Sequence, residues 1–261
     1  MNLLIQTAGA LIALGFATSL PAATFKTVNF EVIADSPTIA REIAESAEKW
    51  RTTLAEHWLE QPLKKWNYCC RIEVKTQDSG GTGWTTYQFL GGRLFRVGIQ
   101  MQGSPDRLLE YVLPHELTHA VLATAVGDAL PRWADEGAAM LSESQSQKLR
   151  QNLVVEQLIH TGDVIPFRQM LKMLDYPPNK AKLYAFYAQS LTLAEFLIAR
   201  GGRLRFLEFV HDGHTGEWDA AVLRHYELEN VEALQGAWSE WVLKKNGNRN
   251  SRDSQQIAAA E

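Results

Sequence analysis

The stretch from Leu113 to Gly137 constrains this chain more than any other. It reads Leu113-Pro114-His115-Glu116-Leu117-Thr118-His119 and then, after a short loop, Pro131-Arg132-Trp133-Ala134-Asp135-Glu136-Gly137. Apolar residues around its first part, Leu108, Leu109, Val112, Leu117, Val121 and Leu122, suit a buried helix. On such a helix His115 and His119 project from one face, about 40° apart and roughly 6 Å along the axis, so their imidazoles can grip one metal ion. Glu116 sits roughly 100° round from His115, too far to join that ligand set easily but within reach of a water on the metal. That is the place of a general base. A catalytic zinc site takes three protein ligands and leaves the fourth position to water, so a third donor is expected downstream. Glu136 and Asp135 are the candidates, and Asp135 has the alternative role of orienting a histidine. The bland reading is a pair of core or capping histidines with no metal.

His115-Glu116-Leu-Thr-His119 followed by Leu130-Pro131-Arg132-Trp133-Ala-Asp135-Glu136-Gly137 resembles the gluzincin metallopeptidases. More narrowly it resembles the bacterial peptidase MA-like group, in which an x-Pro-x-Trp-x-x-Glu-Gly segment follows the zinc helix. The likeness is specific across about residues 105–145 and looser to about 243. It is unlike the metzincins, because Leu122 and Ala125 stand where a glycine and a third histidine belong. The resemblance implies a zincin-like α+β fold, with a small antiparallel sheet, a zinc-site helix and a mostly helical C-terminal part. It implies one Zn2+ per chain on His115, His119 and Glu136, with Glu116 as the base, and it ranks Glu136 ahead of Asp135. In related peptidases a tyrosine or histidine of the helical subdomain faces the zinc and steadies the oxyanion. The segment Leu183-Tyr184-Ala-Phe-Tyr187-Ala-Gln189-Ser190 is similar to that one, making Tyr187 the candidate and Tyr184 the next. Their other reading is as core aromatics on an amphipathic helix. The implied activity is hydrolysis of a peptide or protein substrate through a zinc-bound water. Two alternatives stay open: a zinc hydrolase of a non-protein amide such as a cell-wall cross-link, and a silent zinc-binding scaffold, against which the intact Glu116 speaks.

With 261 residues and 46% hydrophobic content, the chain has room for one large domain or two small ones. The expected division is 24–146 for the α+β part with the zinc helix and third ligand, 147–243 for a helical subdomain, and 244–261 for a polar, disordered tail. A net charge of −4 with scattered basic residues excludes a nucleic-acid surface; Lys244, Lys245, Arg249 and Arg252 cluster only in the polar tail. The first 23 residues hold no charged side chain, and the apolar Ala8 to Phe16 leads to Ala17-Thr-Ser-Leu-Pro-Ala22-Ala23. This is the pattern of a signal peptide cleaved after Ala22 or Ala23, which makes the mature chain periplasmic or secreted with no stable membrane insertion. An uncleaved anchor over Leu3 to Leu20 is the alternative, diluted by Gln6, Thr7, Thr18 and Ser19. Cys69 and Cys70 are adjacent and cannot staple distant elements; they are read as two thiols, or as one thiol buried like a small apolar residue.

Along the chain, alternation predicts a strand over 23–33, and Asp35-Ser36-Pro37 opens an amphipathic cover helix to about Leu59 with His57 on its surface. A second strand is expected over 68–76, a glycine turn at 80–83, and a hairpin of 84–90 and 93–101 joined at Gly91-Gly92. The gluzincin likeness casts that hairpin as the edge along which an extended peptide lies; a plain structural hairpin is the alternative. Ser104-Pro105-Asp106 opens the zinc helix and Gly127 closes it, with a kink or broken turn expected at Pro114. Helices follow over 131–146, 148–160, 167–174, 181–200, 204–210, 217–226 and 231–243.

Overall fold

The computed structural model describes residues 4–8, 23–91 and 93–258, with the backbone alone for 4–8 and 248–258. Most of the expected leader, residues 9–22 with its apolar run and the Ala22 cleavage position, lies outside the described residues, as do 259–261. The fold is α+β and mainly helical. It divides into two compact units, Met1–Leu130 and Pro131–Glu261.

The first unit is built on one sheet of order β1-β5-β6-β4-β3-β2, comprising β1 (Leu4–Ala8), β2 (Ala23–Lys26), β3 (Phe30–Ala34), β4 (Cys70–Thr76), β5 (Gly81–Leu90) and β6 (Arg93–Gly103). The sheet is mixed, not antiparallel as expected: β3–β4 and β4–β6 run parallel. For β3–β4 the reason is α1 (Pro37–Leu59), a long crossover that carries the chain back before β4 begins, and for β4–β6 it is β5, which pairs antiparallel on the far side of β6. The expected strand 23–33 is a hairpin of β2 and β3, turned by a Thr27 N–H bond to the Phe30 carbonyl. Asn29 in that turn is tied to the Glu48 carboxylate and accepts from the Trp66 backbone. The expected hairpin forms, with Leu90 opposite Arg93 and Gly91 at φ 58. Its first strand starts earlier than expected, taking in Gly81 and Gly83 and leaving the turn at Gly80 (φ 76).

One face of the sheet carries Val32, Ile72, Val97 and Ile99, all buried, while Arg71, Arg96 and Gln100 alternate on the other. α1 packs Ile43, Ala47, Leu54 and Trp58 into this core, and it contacts the metal-site helix. That helix is entered through α2 (Pro105–Arg107) and a π-helical turn (Leu108–Val112), then runs regularly as α3 (Leu113–Val126). The π turn is how the chain absorbs Pro114: the Leu113 N–H reaches back to the Leu108 carbonyl, and Pro114 follows with no N–H to place. Gly127, at φ 74, closes α3 by donating to the Ala123 carbonyl. Cys69 is exposed and Cys70 buried on β4, both as free thiols.

The second unit is all helix: α4 (Arg132–Ala139), a 3-10 turn (Met140–Ser142), α5 (Gln145–Thr161), α6 (Phe167–Met170), α7 (Lys180–Thr215), α8 (Trp218–Tyr226) and α9 (Val231–Ala258). α4 stops short of the expected Ser146 because α5 begins with its own capping box, Ser144 with Gln147. α7 joins two expected helices, bent at Gly202 where φ is 81 and ψ 172. α4 packs on α7 so closely that a Cβ on Gly137 would sit 2.3 Å from the Ser190 carbonyl oxygen. Glu136 lies in the second compact unit, which begins at Pro131. Trp133, fully buried, is ringed by Phe206, Phe209 and Trp218. The expected disordered tail is helical to Ala258. Its start is pinned because Asn246 is buried, donating to the Asn152 carbonyl and the Glu156 carboxylate. Among the described residues no helix is long and apolar enough to cross a membrane.

Candidate metal centre

α3 sets His115 and His119 one turn apart, and their rings meet edge to face with centroids 5.0 Å apart. His115 is half-buried and His119 buried, while α4 carries Glu136 at 3% exposure. One ligand atom from each of His115, His119 and Glu136 lies within 4.8 Å of the others, so this group could hold a metal ion. Two imidazoles and a carboxylate form a donor set known from three-ligand zinc sites, and desolvation of the carboxylate favours a cation close by. Asp135, the rival ligand, is buried but stands outside the group.

Glu116 is also outside the group and 4% exposed. Burying a carboxylate costs free energy unless donors meet it. β5 supplies one: Thr85 Oγ1 donates to Glu116 Oε2 at 2.7 Å, and the same hydroxyl lies 3.2 Å from the Glu116 carbonyl oxygen. β5 also supplies the space, since a Cβ on Gly83 would come 2.8 Å from Glu116 Oε1 and from Val112 Cγ1. Neither residue was singled out for the site by the sequence reading. The available signal was a threonine and a glycine in step with Tyr87 and Phe89 on the buried side of a strand.

Glu136 has its own partner, Tyr176, whose hydroxyl donates to Oε1. Tyr176 precedes Pro177-Pro178 in the link from α6 to α7, and proline at 177 holds its backbone in the extended region. The Arg132 guanidinium lies over the Tyr176 ring at 5.0 Å from its centroid, and Phe186 and Tyr187 pack against it at 6.1 and 5.8 Å. Burial, and then the Glu136 charge, push the phenol above its ordinary range, which keeps it a donor. Sequence reasoning missed Tyr176, for which the Pro-Pro pair was the sole local sign.

Tyr187 is half-buried on α7 and touches Tyr176, whereas Tyr184 is 57% exposed near the Lys180 ammonium. In the same segment Gln189 is fully buried and bonds both ways to the Ile165 backbone, and Ser190 meets Gly137. Those two residues are structural. His160, His211, His214 and His225 are not in the metal group; His225 Nε2 pairs with Asp212 at 2.9 Å. No protein-family model matches the chain, and no curated protein matches it.

Proposed function

We propose that this chain is an exported zinc metallopeptidase of gluzincin type, with His115, His119 and Glu136 as ligands and Glu116 as general base. The observation that carries the reading is the two-histidine, one-carboxylate group within 4.8 Å, with a second buried carboxylate on the histidine helix that accepts from Thr85. Zinc in such a group supplies Lewis acidity, polarising a scissile carbonyl and acidifying a water towards a pKa of about 7. Glu116 takes that water's proton as the oxygen attacks the carbonyl carbon, then delivers it to the leaving amine as the C–N bond breaks. Thr85 keeps the carboxylate in one rotamer through both transfers. Tyr187 is assigned to steady the developing oxyanion, on the strength of its half-buried phenol beside Tyr176. A silent scaffold has no use for a buried carboxylate so supported. Export rests on the uncharged first 23 residues. Cleavage after Ala22 or Ala23 removes β1, which pairs with β5 from Leu4–Phe89 to Ala8–Thr85, and opens the β5 edge to an extended peptide.

The test is metal content by elemental analysis on the purified chain and on His119→Ala, followed by a peptide-library cleavage screen with Glu116→Gln as control. About one zinc in the wild type, none in His119→Ala and cleavage abolished in Glu116→Gln are expected. A folded wild type that takes up no zinc at neutral pH overturns the reading.

A further inference from the structure

Arg132 and Glu136 stand one turn apart on α4, and one side chain from elsewhere engages both. Tyr176 lies with its ring beneath the Arg132 guanidinium, 5.0 Å from the ring centroid, and its hydroxyl on Glu136 Oε1. Packing against Phe186 and Tyr187 fixes the ring on its other sides, and Pro177, buried, restrains the backbone that presents it. A carboxylate has two oxygens, and a ligating glutamate uses either one or both. The phenol engages Oε1, and Glu136 is also one of the three residues whose ligand atoms lie within 4.8 Å of one another.

We propose that Tyr176 is a positioning residue that holds Glu136 as a one-oxygen ligand, keeping a coordination position open for water. The proposal rests on the metal-centre reading above and adds to it the residue that sets how the third ligand binds. Tyr176 acts through Glu136. Its hydroxyl restrains carboxylate rotation, and Arg132 and the two aromatic neighbours restrain the hydroxyl. Without it Glu136 is free to turn and close both oxygens on the metal, which removes the open position.

The experiment compares the full chain with Tyr176→Phe, which keeps the ring and deletes one oxygen. Metal-free melting curves come first, and Tyr176→Phe is expected to melt cooperatively but several degrees lower, because the aromatic packing survives while the buried carboxylate loses one donor. Zinc affinity by chelator competition is expected to fall about 10- to 100-fold, the usual cost of losing the group that orients a ligand. The cobalt-substituted proteins give a readout that a purely structural role does not move: the visible bands of the wild type should have four-coordinate intensity, and those of Tyr176→Phe the weaker intensity of a fuller shell. Zinc X-ray absorption on the wild type needs no variant, and it should fit one carboxylate oxygen at about 2.0–2.2 Å. Zinc affinity within twofold of wild type with an unchanged cobalt spectrum, or a two-oxygen carboxylate in the wild-type absorption data, overturns the proposal while leaving the metal centre standing. A wild type that binds neither metal overturns both.

Discussion

Glu116 and Glu136 are chemically identical side chains, both buried and both accepting from a hydroxyl, yet they are supported in different ways. Glu116 is backed by a strand: Thr85 donates from β5, and the missing side chain of Gly83 makes the room. Glu136 is backed by an aromatic cluster, in which Tyr176 donates while Arg132, Phe186 and Tyr187 brace the ring. In the proposed reading Glu116 is a base, which must exchange a proton in every turnover, and a small hydroxyl such as that of Thr85 restrains it without neutralising it. In the proposed reading Glu136 is a ligand, which must not move, and the heavier brace suits that task. The two supports thus differ in the way the proposed roles of base and ligand require.

The sharpest break in that comparison is at the metal itself. His119→Ala should lose both bound zinc and hydrolysis, read by elemental analysis and peptide cleavage on the same preparation. Glu116→Gln should separate the two roles, retaining zinc while hydrolysis falls by about 10²- to 10⁴-fold, the range for loss of a positioned general base. Gly83→Ala should act on the base alone, since the new methyl meets Glu116 and Val112 at 2.8 Å. Overpacking of this kind costs about 1–3 kcal/mol, so a lowered melting temperature and weaker cleavage are expected with zinc affinity kept. Thr85→Val is milder still. It leaves a buried carboxylate short of one donor, at about 1–3 kcal/mol, and should lower the melting temperature and cleavage while zinc affinity is kept.

The smallest effect lies away from the site. Arg168 pairs with Asp219 and Glu232, and the His225 and Arg224 side chains bond Asp212, so all three carboxyls are held below their usual range. Their stabilising contribution is present above the unfolded carboxyl values of about 4 and is lost as pH falls through the lower folded values. These pairs are largely solvated, so Asp219→Asn should shift the melting temperature by only about 1–2 °C near neutral pH and flatten its decline in acid.

Local chemistry made much of this legible in advance. Helical spacing brought out His115, His119 and the separate direction of Glu116, and Pro114 announced an irregular turn that the structure resolves as a π-helical one. The mixed sheet was not legible, because alternation reports which face a strand buries and says nothing of its direction. The supports of the two carboxylates were hidden for a related reason. Thr85 is 31 residues from Glu116 in sequence and Tyr176 is 40 from Glu136, so nothing in local composition links them. The tail misled because polarity was read as disorder, whereas Asn246 is buried and bonded to α5.

The contact at Gly137 sets a mechanical tolerance. At Gly137 the backbone of α4 meets the Ser190 backbone of α7, with the Ala194 methyl beside it, and there is no rotamer on the Gly137 side to give or take up slack. A side chain at that position would act as a shim, varying with its rotamer and displacing the next residue by its thickness. With none present, the distance from the α7 axis to the peptide that carries Glu136 is a fixed stop. Errors in packing elsewhere in the helical unit are then taken up by side chains that can move, and Glu136 keeps its place.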